Sequence, residues 1–140
     1  MTELTLTVEL TISAPIEAVF DAWLDADKLK GFMLPGHDMP APKITLDPKL
    51  GGEFEIIMMD GENAIRHTGE YLEIDRPNAL TFTWLSPYTL DGSTVYLTFE
   101  SIDDAHTRVV LRHDKFPTQS SCDSHRNGWT RILACLAETA

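Results

Sequence analysis

Residues 4–24 read LTLTVELTISAPIEAVFDAWL, and this stretch contains two different hydrophobic periods. From Leu4 to Ile12 every second residue is aliphatic, with threonine or glutamate between, which predicts a strand with one buried face. Pro15 is tolerated at the first position of a helix. From Ile16 to Leu24 the large apolar residues recur three and four positions apart, which predicts a short amphipathic helix. The chain therefore opens with a strand followed directly by a helix.

A second helical turn and a loop are predicted next. Asp25 and Asp27 are suited to cap a turn around Ala26–Lys30. The segment Phe32–Pro42 contains three prolines and a glycine, which favours a loop. Its large apolar side chains are unusual for a loop and indicate a portal or a contact surface; they are Phe32, Met33, Leu34 and Met39.

Strand patterns dominate the middle of the chain. They occupy Lys43–Asp47, Glu53–Met59, Ile65–Asp75, Ala79–Leu85, Thr94–Ser101 and Thr107–His113. Short turns such as Asp60-Gly61 and Asp91-Gly92 favour an antiparallel meander over crossover connections. Gly69 interrupts a poorly alternating strand and predicts a bulge there. The sum is one antiparallel sheet of about six or seven strands.

The last element is a long amphipathic helix that ends near Glu138. Its apolar face carries Trp129, Ile132, Leu133 and Leu136. Such a helix is suited to cover a sheet, with either a packed core or a cavity between them. The predicted fold class is α+β.

Length and charge limit the possible functions. The 140 residues, 43% of them hydrophobic, predict a single domain over residues 1–140. The longest apolar run, Ile132–Ala137, is too short to cross a bilayer, and residues 1–5 lack the pattern of a signal peptide, so we expect a cytoplasmic protein. A net charge of −11 argues against nucleic acid and membrane surfaces as partners. We expect a monomer or a weak homodimer. The acidic surface could also bind a basic protein partner.

No motif for a metal, a nucleotide or a nucleophile is present. Cys122 and Cys135 lie on one predicted helix with their Cα atoms about 20 Å apart, so they are expected to be reduced thiols. Gly51-Gly52 precedes a strand and does not open a helix, which excludes the usual phosphate loops. Ser120-Ser121 lacks the elbow motif of hydrolases and is interpreted as the start of a helix. We expect no cofactor and no metal.

The histidines are the remaining candidates for chemistry. His37 and His106 fall in predicted loops or turns and are expected to be exposed. His67 and Glu70 point to opposite faces of a strand and are poorly placed to chelate one ion. His113 continues an inward alternation, which is typical of a hydrogen-bonded polar group at the edge of a core, with ligand contact as the alternative. His125, one turn before the last tryptophan, is placed to approach the same region.

In addition to the order of these elements, several sequence segments spread over essentially the whole chain match a known family. The matching segments are Ser13–Trp23, Asp47–Phe54, Gly69–Ile74 with Pro77, Leu80–Trp84, and Gly128-Trp129 with Leu133 and Leu136. The sequence resembles the SRPBCC superfamily, which has the helix-grip (START-like, birch-pollen-allergen-like) fold. Within it, the sequence is most similar to proteins like the activator of heat-shock protein 90 ATPase.

The resemblance implies a curved sheet that grips the C-terminal helix around an apolar cavity, whose entrance lies near the loops and short helices. Members bind lipids, sterols or polyketide-like molecules, some are enzymes and some assist chaperones, so the fold does not fix the activity. His113 and His125 fall where this branch often carries histidines. Phe32-Met33 departs from the branch, where tryptophan is frequent.

Three functions are therefore considered. The leading hypothesis is a protein that binds a small hydrophobic or amphipathic molecule. The alternatives are a chaperone ATPase activator and a cyclase- or hydrolase-type enzyme with His113 or His125 as general acid–base. The candidate cavity residues are Phe20, Trp23, Phe32, Met33, Phe54, Met58, His67, Tyr71, Trp84, Phe99, His113, His125, Trp129 and Leu133.

Overall fold

A computed structural model of the protein describes residues 4–34 and 39–139, which fold as an α+β structure. The elements in chain order are β1 (Leu4–Ile12), α1 (Ile16–Ala22), α2 (Ala26–Phe32), β2 (Lys43–Leu46), β3 (Glu53–Asp60), β4 (Asn63–Asp75), β5 (Ala79–Thr83), β6 (Thr94–Asp103), β7 (His106–Phe116) and α3 (Gln119–Thr139).

The strands form one seven-stranded antiparallel sheet in the order β1-β7-β6-β5-β4-β3-β2. β2 to β7 follow one another as a meander, and β1 is added at the far edge beside β7. The helix α3 packs against β1, β7 and α2. The predicted helix-grip architecture is confirmed.

Hydrophobic periodicity explains how α3 is held. Trp129, Ile132, Leu133 and Leu136 are all buried, as their spacing predicts. On the sheet, Leu6 and Ile12 of β1 are buried in the same core. Burying side chains of this size stabilises the fold by about 1.5–3 kcal/mol each. The two cysteines are free thiols: Cys122 is buried and Cys135 is partly buried on α3.

Phe32 and Met33 correct the expectation of a portal. α2 extends to Phe32 after a cap in which the Asp25 carboxylate accepts hydrogen bonds from the N–H groups of Asp27 and Lys28. The helix thus continues two residues beyond the predicted turn, and both side chains lie in the core, where they are fully buried. The Phe32 ring packs edge-to-face on that of Trp23, with centroids 5.1 Å apart. The predicted loop position of His37 lies outside the described residues.

The bulge in β4 is also displaced from its predicted position. The register shifts at Leu72, which is exposed, three residues beyond Gly69. Gly69 instead marks a close approach between β4 and β5. A Cβ atom there would lie 1.9 Å from the Thr83 carbonyl oxygen and 2.5 Å from the ring of Phe54. Glycine is therefore required at this position because there is no space for a side chain, and not because the strand bulges there.

Candidate functional site

A pocket of about 450 Å³ lies between the first half of α3, strands β3 and β4, and the segment that follows β5. Its apolar wall consists of Met58, Ile65, Trp84, Trp129 and Ile132. Its polar residues are His67, Tyr88, Thr118, Ser120, Ser121, Ser124 and His125, and Gly128 completes the lining. None of these lining residues is acidic, lysine or arginine, so the pocket is polar on one side without a formal charge.

Trp84 lies at the centre of the aromatic wall. Its ring centroid is 5.0 Å from that of Trp129 and 4.9 Å from that of His67. The side chain is buried, and its indole N–H has no hydrogen-bond acceptor within the described part of the chain. A buried N–H without an acceptor costs about 1–3 kcal/mol. The indole of Trp84 therefore leaves one buried donor unsatisfied among the described residues.

A second, smaller cavity of about 20 Å³ lies on the other side of Trp84. It is lined by Trp23, Leu29, Met33, Ile44, Leu46, Phe54, Ile56, Tyr71, Phe82 and Trp84. Its volume suits about one water molecule. Trp23 also holds a buried indole N–H without an acceptor among the described residues. Trp84 thus separates a ligand-sized pocket from a space too small for an organic ligand.

His113 supports the pocket from behind. The Trp129 indole N–H donates to His113 Nδ1 at 3.0 Å. His113 Nε2 lies 2.7 Å from Ser93 Oγ, which itself donates to the Asp114 carbonyl oxygen at 2.8 Å. Because an indole nitrogen only donates, Nδ1 must be unprotonated, and Nε2 must carry the proton that is donated to Ser93. These three bonds fix a neutral His113 in one tautomer.

The surroundings of His113 keep it uncharged. It is fully buried, and its ring contacts those of Phe116 and His125, with centroids 4.5 Å and 5.4 Å away. Burial lowers the pKa of His113 to about 2, and His125 adds to the effect. A proton on Nδ1 would also face the indole N–H of Trp129. His113 therefore positions Trp129 and does not present a titrating group to the pocket.

His67 and His125 line the pocket directly and share one arrangement. His67 Nδ1 lies 3.3 Å from the Ile56 carbonyl oxygen, and His125 Nδ1 lies 2.8 Å from that of Ser121. Burial lowers the pKa of His67 to about 4 and also lowers the pKa of His125. Each ring is thus neutral at pH 7 and donates from Nδ1, so each Nε2 carries a lone pair. Nε2 of His125 has no hydrogen-bond partner among the described residues, whereas the His67 ring also interacts with the backbone of Ile65 besides that of Ile56.

The candidate residues from the sequence are divided among three places. Met58, His67, Trp84, His125 and Trp129 line the larger pocket. Trp23, Met33, Phe54 and Tyr71 line the small cavity. Phe20, Phe32, Phe99, His113 and Leu133 line neither and pack in the core; the rings of Phe20 and Phe99 meet edge-to-face at 5.2 Å.

The hydroxyl side of the pocket is absent from the sequence-based candidates. Ser121, Ser124 and His125 share a face of α3 with Gly128 and Ile132, and this helical spacing is the signal that identifies them. Tyr88 belongs to the β5–β6 segment, and the Ser121 hydroxyl donates to its carbonyl oxygen. This bond connects the segment to α3 beside the pocket.

The resemblance implies an entrance near the loops and the short helices, and these elements contribute to different cavities. The short helices contribute Leu29 and the adjacent Trp23 and Met33 to the small cavity only. The larger pocket is bordered by α3 and the β5–β6 segment. Within the described ranges, no group of acidic, histidine and cysteine side chains could hold a metal ion, and no helix is long and apolar enough to cross a membrane.

An antiparallel sheet of this order, gripping a long C-terminal helix, defines an α+β helix-grip protein, which is consistent with the SRPBCC superfamily. Residues 13–140 match the family described as Activator of Hsp90 ATPase homolog 1-like protein, and the chain belongs to that family.

Solved structures show the same fold. An AHSA1-like protein from Aeromonas hydrophila is 25% identical, with a TM-score of 0.81 over 97% of this chain and 91% of its own. A protein from Chromobacterium violaceum is 20% identical, with a TM-score of 0.81 over 96% of both chains. An HSP90 activator from Plasmodium falciparum is 24% identical, with a TM-score of 0.74 over 94% of this chain and 91% of its own. Among proteins with curated descriptions, none matches the chain significantly.

Proposed function

We propose that this protein binds a small hydrophobic or amphipathic molecule between α3 and the sheet. The observation that carries the proposal is the pocket of about 450 Å³, which is lined by two tryptophan rings together with several side-chain hydroxyl groups. Ligand sites are usually concave spaces of about 300–1,000 Å³ with apolar walls and a few convergent polar groups. The pocket has these features.

The rigidity of the aromatic wall supports the same function. Trp129 is held by its hydrogen bond to His113, and the ring of Trp84 packs against it. A wall that is ordered before binding loses little side-chain entropy when a ligand arrives.

Ser124 offers a way to close the pocket without disturbing the core. It lines the pocket but is exposed on α3, so Ser124→Trp should fill the space with little effect on folding. We expect it to weaken binding of the uncharged dye Nile red at least about tenfold, which corresponds to about 1.4 kcal/mol. Fluorescence titration measures the affinity, and thermal unfolding checks the fold.

Asn127→Trp is the matched control for this experiment. Asn127 is equally exposed on α3 but does not line the pocket, so dye affinity should stay within about twofold of the wild-type value. Absence of dye binding by the wild-type protein would contradict the proposal. Equal affinities of the wild-type and Ser124→Trp proteins would place the dye elsewhere and also contradict it.

A second function, stimulation of the Hsp90 ATPase, is favoured by the family to which the chain belongs and by its likeness to the Plasmodium activator. The test is the ATPase rate of Hsp90 from the same organism with and without this protein. A rate increase that saturates with added protein supports this function. An unchanged rate at a large excess of the protein argues against it.

We do not propose catalysis by His113. Both of its ring nitrogens are hydrogen-bonded, and it lies behind Trp129 and outside the pocket lining. It has no free nitrogen to exchange a proton with a ligand, which a general acid–base needs. His125 lines the pocket, but no nucleophile or second titrating group is hydrogen-bonded to it among the described residues.

A further inference from the structure

The two histidines of the pocket define which polar groups it accepts. His67 approaches from β4 and His125 from α3, and both belong to the lining of the same space. In each ring the Nδ1 edge is turned to a backbone carbonyl, that of Ile56 or that of Ser121. The other edge of each neutral ring therefore offers an acceptor, Nε2, and no donor.

We propose that the ligand of this pocket is uncharged in its buried part and donates a hydrogen bond, from a hydroxyl or N–H group, to Nε2 of His67 or His125. This inference rests on the proposed function and adds the chemical class of the ligand. It identifies the two histidines as specificity-determining residues of the site.

The lining contains no charged side chain that could pair with an ionic ligand. A carboxylate placed here would meet two acceptor nitrogens and no lysine or arginine among the lining residues. A buried ion without a partner is strongly disfavoured. An ammonium group would likewise find no carboxylate in the lining. The part of the site beside the two histidines therefore disfavours both kinds of ion.

The hydroxyl-bearing residues of the lining favour a hydroxyl group over other donors. They border the same space as the two histidines and are Tyr88, Thr118, Ser120, Ser121 and Ser124. A hydroxyl group both donates and accepts, so it suits a site that contains histidine lone pairs beside side-chain hydroxyl groups. An ether or a hydrocarbon of the same shape would leave the histidine nitrogens unpaired, and a site built for hydrogen bonding rejects such analogues.

The experiment compares three probes of one shape by displacement of Nile red at pH 7.5. The probes are 2-naphthol, 2-methoxynaphthalene, which lacks the donor, and 2-naphthoate, which is an anion. We expect 2-naphthol to bind at least about tenfold more tightly than 2-methoxynaphthalene, and 2-naphthoate to bind most weakly. This ranking by the wild-type protein tests the inference without any substitution.

Variants then assign the preference to the histidines. In the double variant His67→Phe, His125→Phe, the preference for 2-naphthol should fall to within about threefold while 2-methoxynaphthalene binds at least as well as before. His106→Phe is the control, because His106 lies at the β6–β7 turn outside the pocket, and it should keep the full preference.

The outcomes separate the two proposals. If Nile red binds but the three probes displace it equally, the inference about ligand class is wrong and the pocket remains a binding site. If 2-naphthoate binds best, the inference is also wrong. If the wild-type protein binds neither the dye nor any probe, the proposed function itself is contradicted.

Discussion

Replacing Gly69 with alanine should lower the free energy of unfolding by about 3 kcal/mol or more. The new Cβ would lie 1.9 Å from the Thr83 carbonyl oxygen and 2.5 Å from two carbons of the Phe54 ring. Backbone oxygen in a sheet cannot retreat without loss of neighbouring strand pairs. The Phe54 ring is itself enclosed by Tyr71 and Phe82, at centroid distances of 5.5 Å and 5.4 Å.

Urea unfolding measures this effect, and Gly31→Ala is the matched control. Gly31 lies in α2, and the nearest atom to its new Cβ would be in the Thr139 side chain at 3.9 Å. Alanine is favoured over glycine in helices by up to about 1 kcal/mol, so this variant should unfold at the same urea concentration or a higher one. A Gly69→Ala protein that unfolds within about 0.5 kcal/mol of the wild type would contradict the close approach of β4 and β5.

The same substitution should also weaken ligand binding. Phe54 lies against Trp84, with ring centroids 6.0 Å apart, and Trp84 is part of the pocket wall. Displacement of Phe54 by the new methyl group therefore disturbs the wall from behind. In protein that remains folded, the affinity for Nile red should fall, whereas the Gly31→Ala control keeps it.

Local patterns predict the elements of this fold well, because each pattern reports how its own segment is buried. The alternation in Leu4–Ile12 and the helical spacing of Trp129, Ile132 and Leu136 correspond to β1 and to the buried face of α3. These patterns do not predict which residues each buried face packs against. Phe99 and Trp84 are both large inward aromatic residues, yet Phe99 packs on Phe20 while Trp84 borders a pocket.

The environment of His113 also combines a feature that the local pattern predicts with long-range contacts that it does not predict. Its inward direction follows from the alternation of β7, but its function as a support for Trp129 depends on two long-range partners. Ser93 lies in the turn before β6, where nothing in the sequence distinguishes it, and Trp129 lies on α3. Phe32 and Met33 are predicted in a loop for a related reason: α2 continues two residues beyond Lys30, which is about half a helical turn, and half a turn reverses the direction in which a side chain points.

Acid should destabilise this protein through His113, and His113→Gln should remove that part of the pH dependence. In the unfolded chain a histidine takes up a proton near pH 6.5, whereas burial in the folded protein lowers the pKa of His113 to about 2. The unfolded state therefore binds more protons between these values. Stability is fully present above pH 6.5 and is lost as the pH falls, by about 1.4 kcal/mol per pH unit for this group.

Urea unfolding at pH 7.5 and 4.5 measures the difference between the two proteins. At pH 7.5 His113→Gln should be less stable by about 1–3 kcal/mol, because glutamine fits the bonds to Trp129 and Ser93 less well. Between pH 6.5 and 4.5 the wild type should lose about 2.7 kcal/mol more than the variant. His67 adds to the acid loss in both proteins, since burial lowers its pKa to about 4.

His106→Gln controls for the removal of a histidine as such, since His106 is partly exposed at the start of β7 and bonds to the Asp103 carboxylate outside the core. At pH 7.5 its free energy of unfolding should lie within about 1 kcal/mol of the wild-type value. If instead the His113→Gln and wild-type proteins lose stability in parallel as the pH falls, His113 accepts a proton in the folded state. The neutral bridge between Trp129 and Ser93 would then be wrong, and with it the rigid aromatic wall on which ligand binding depends.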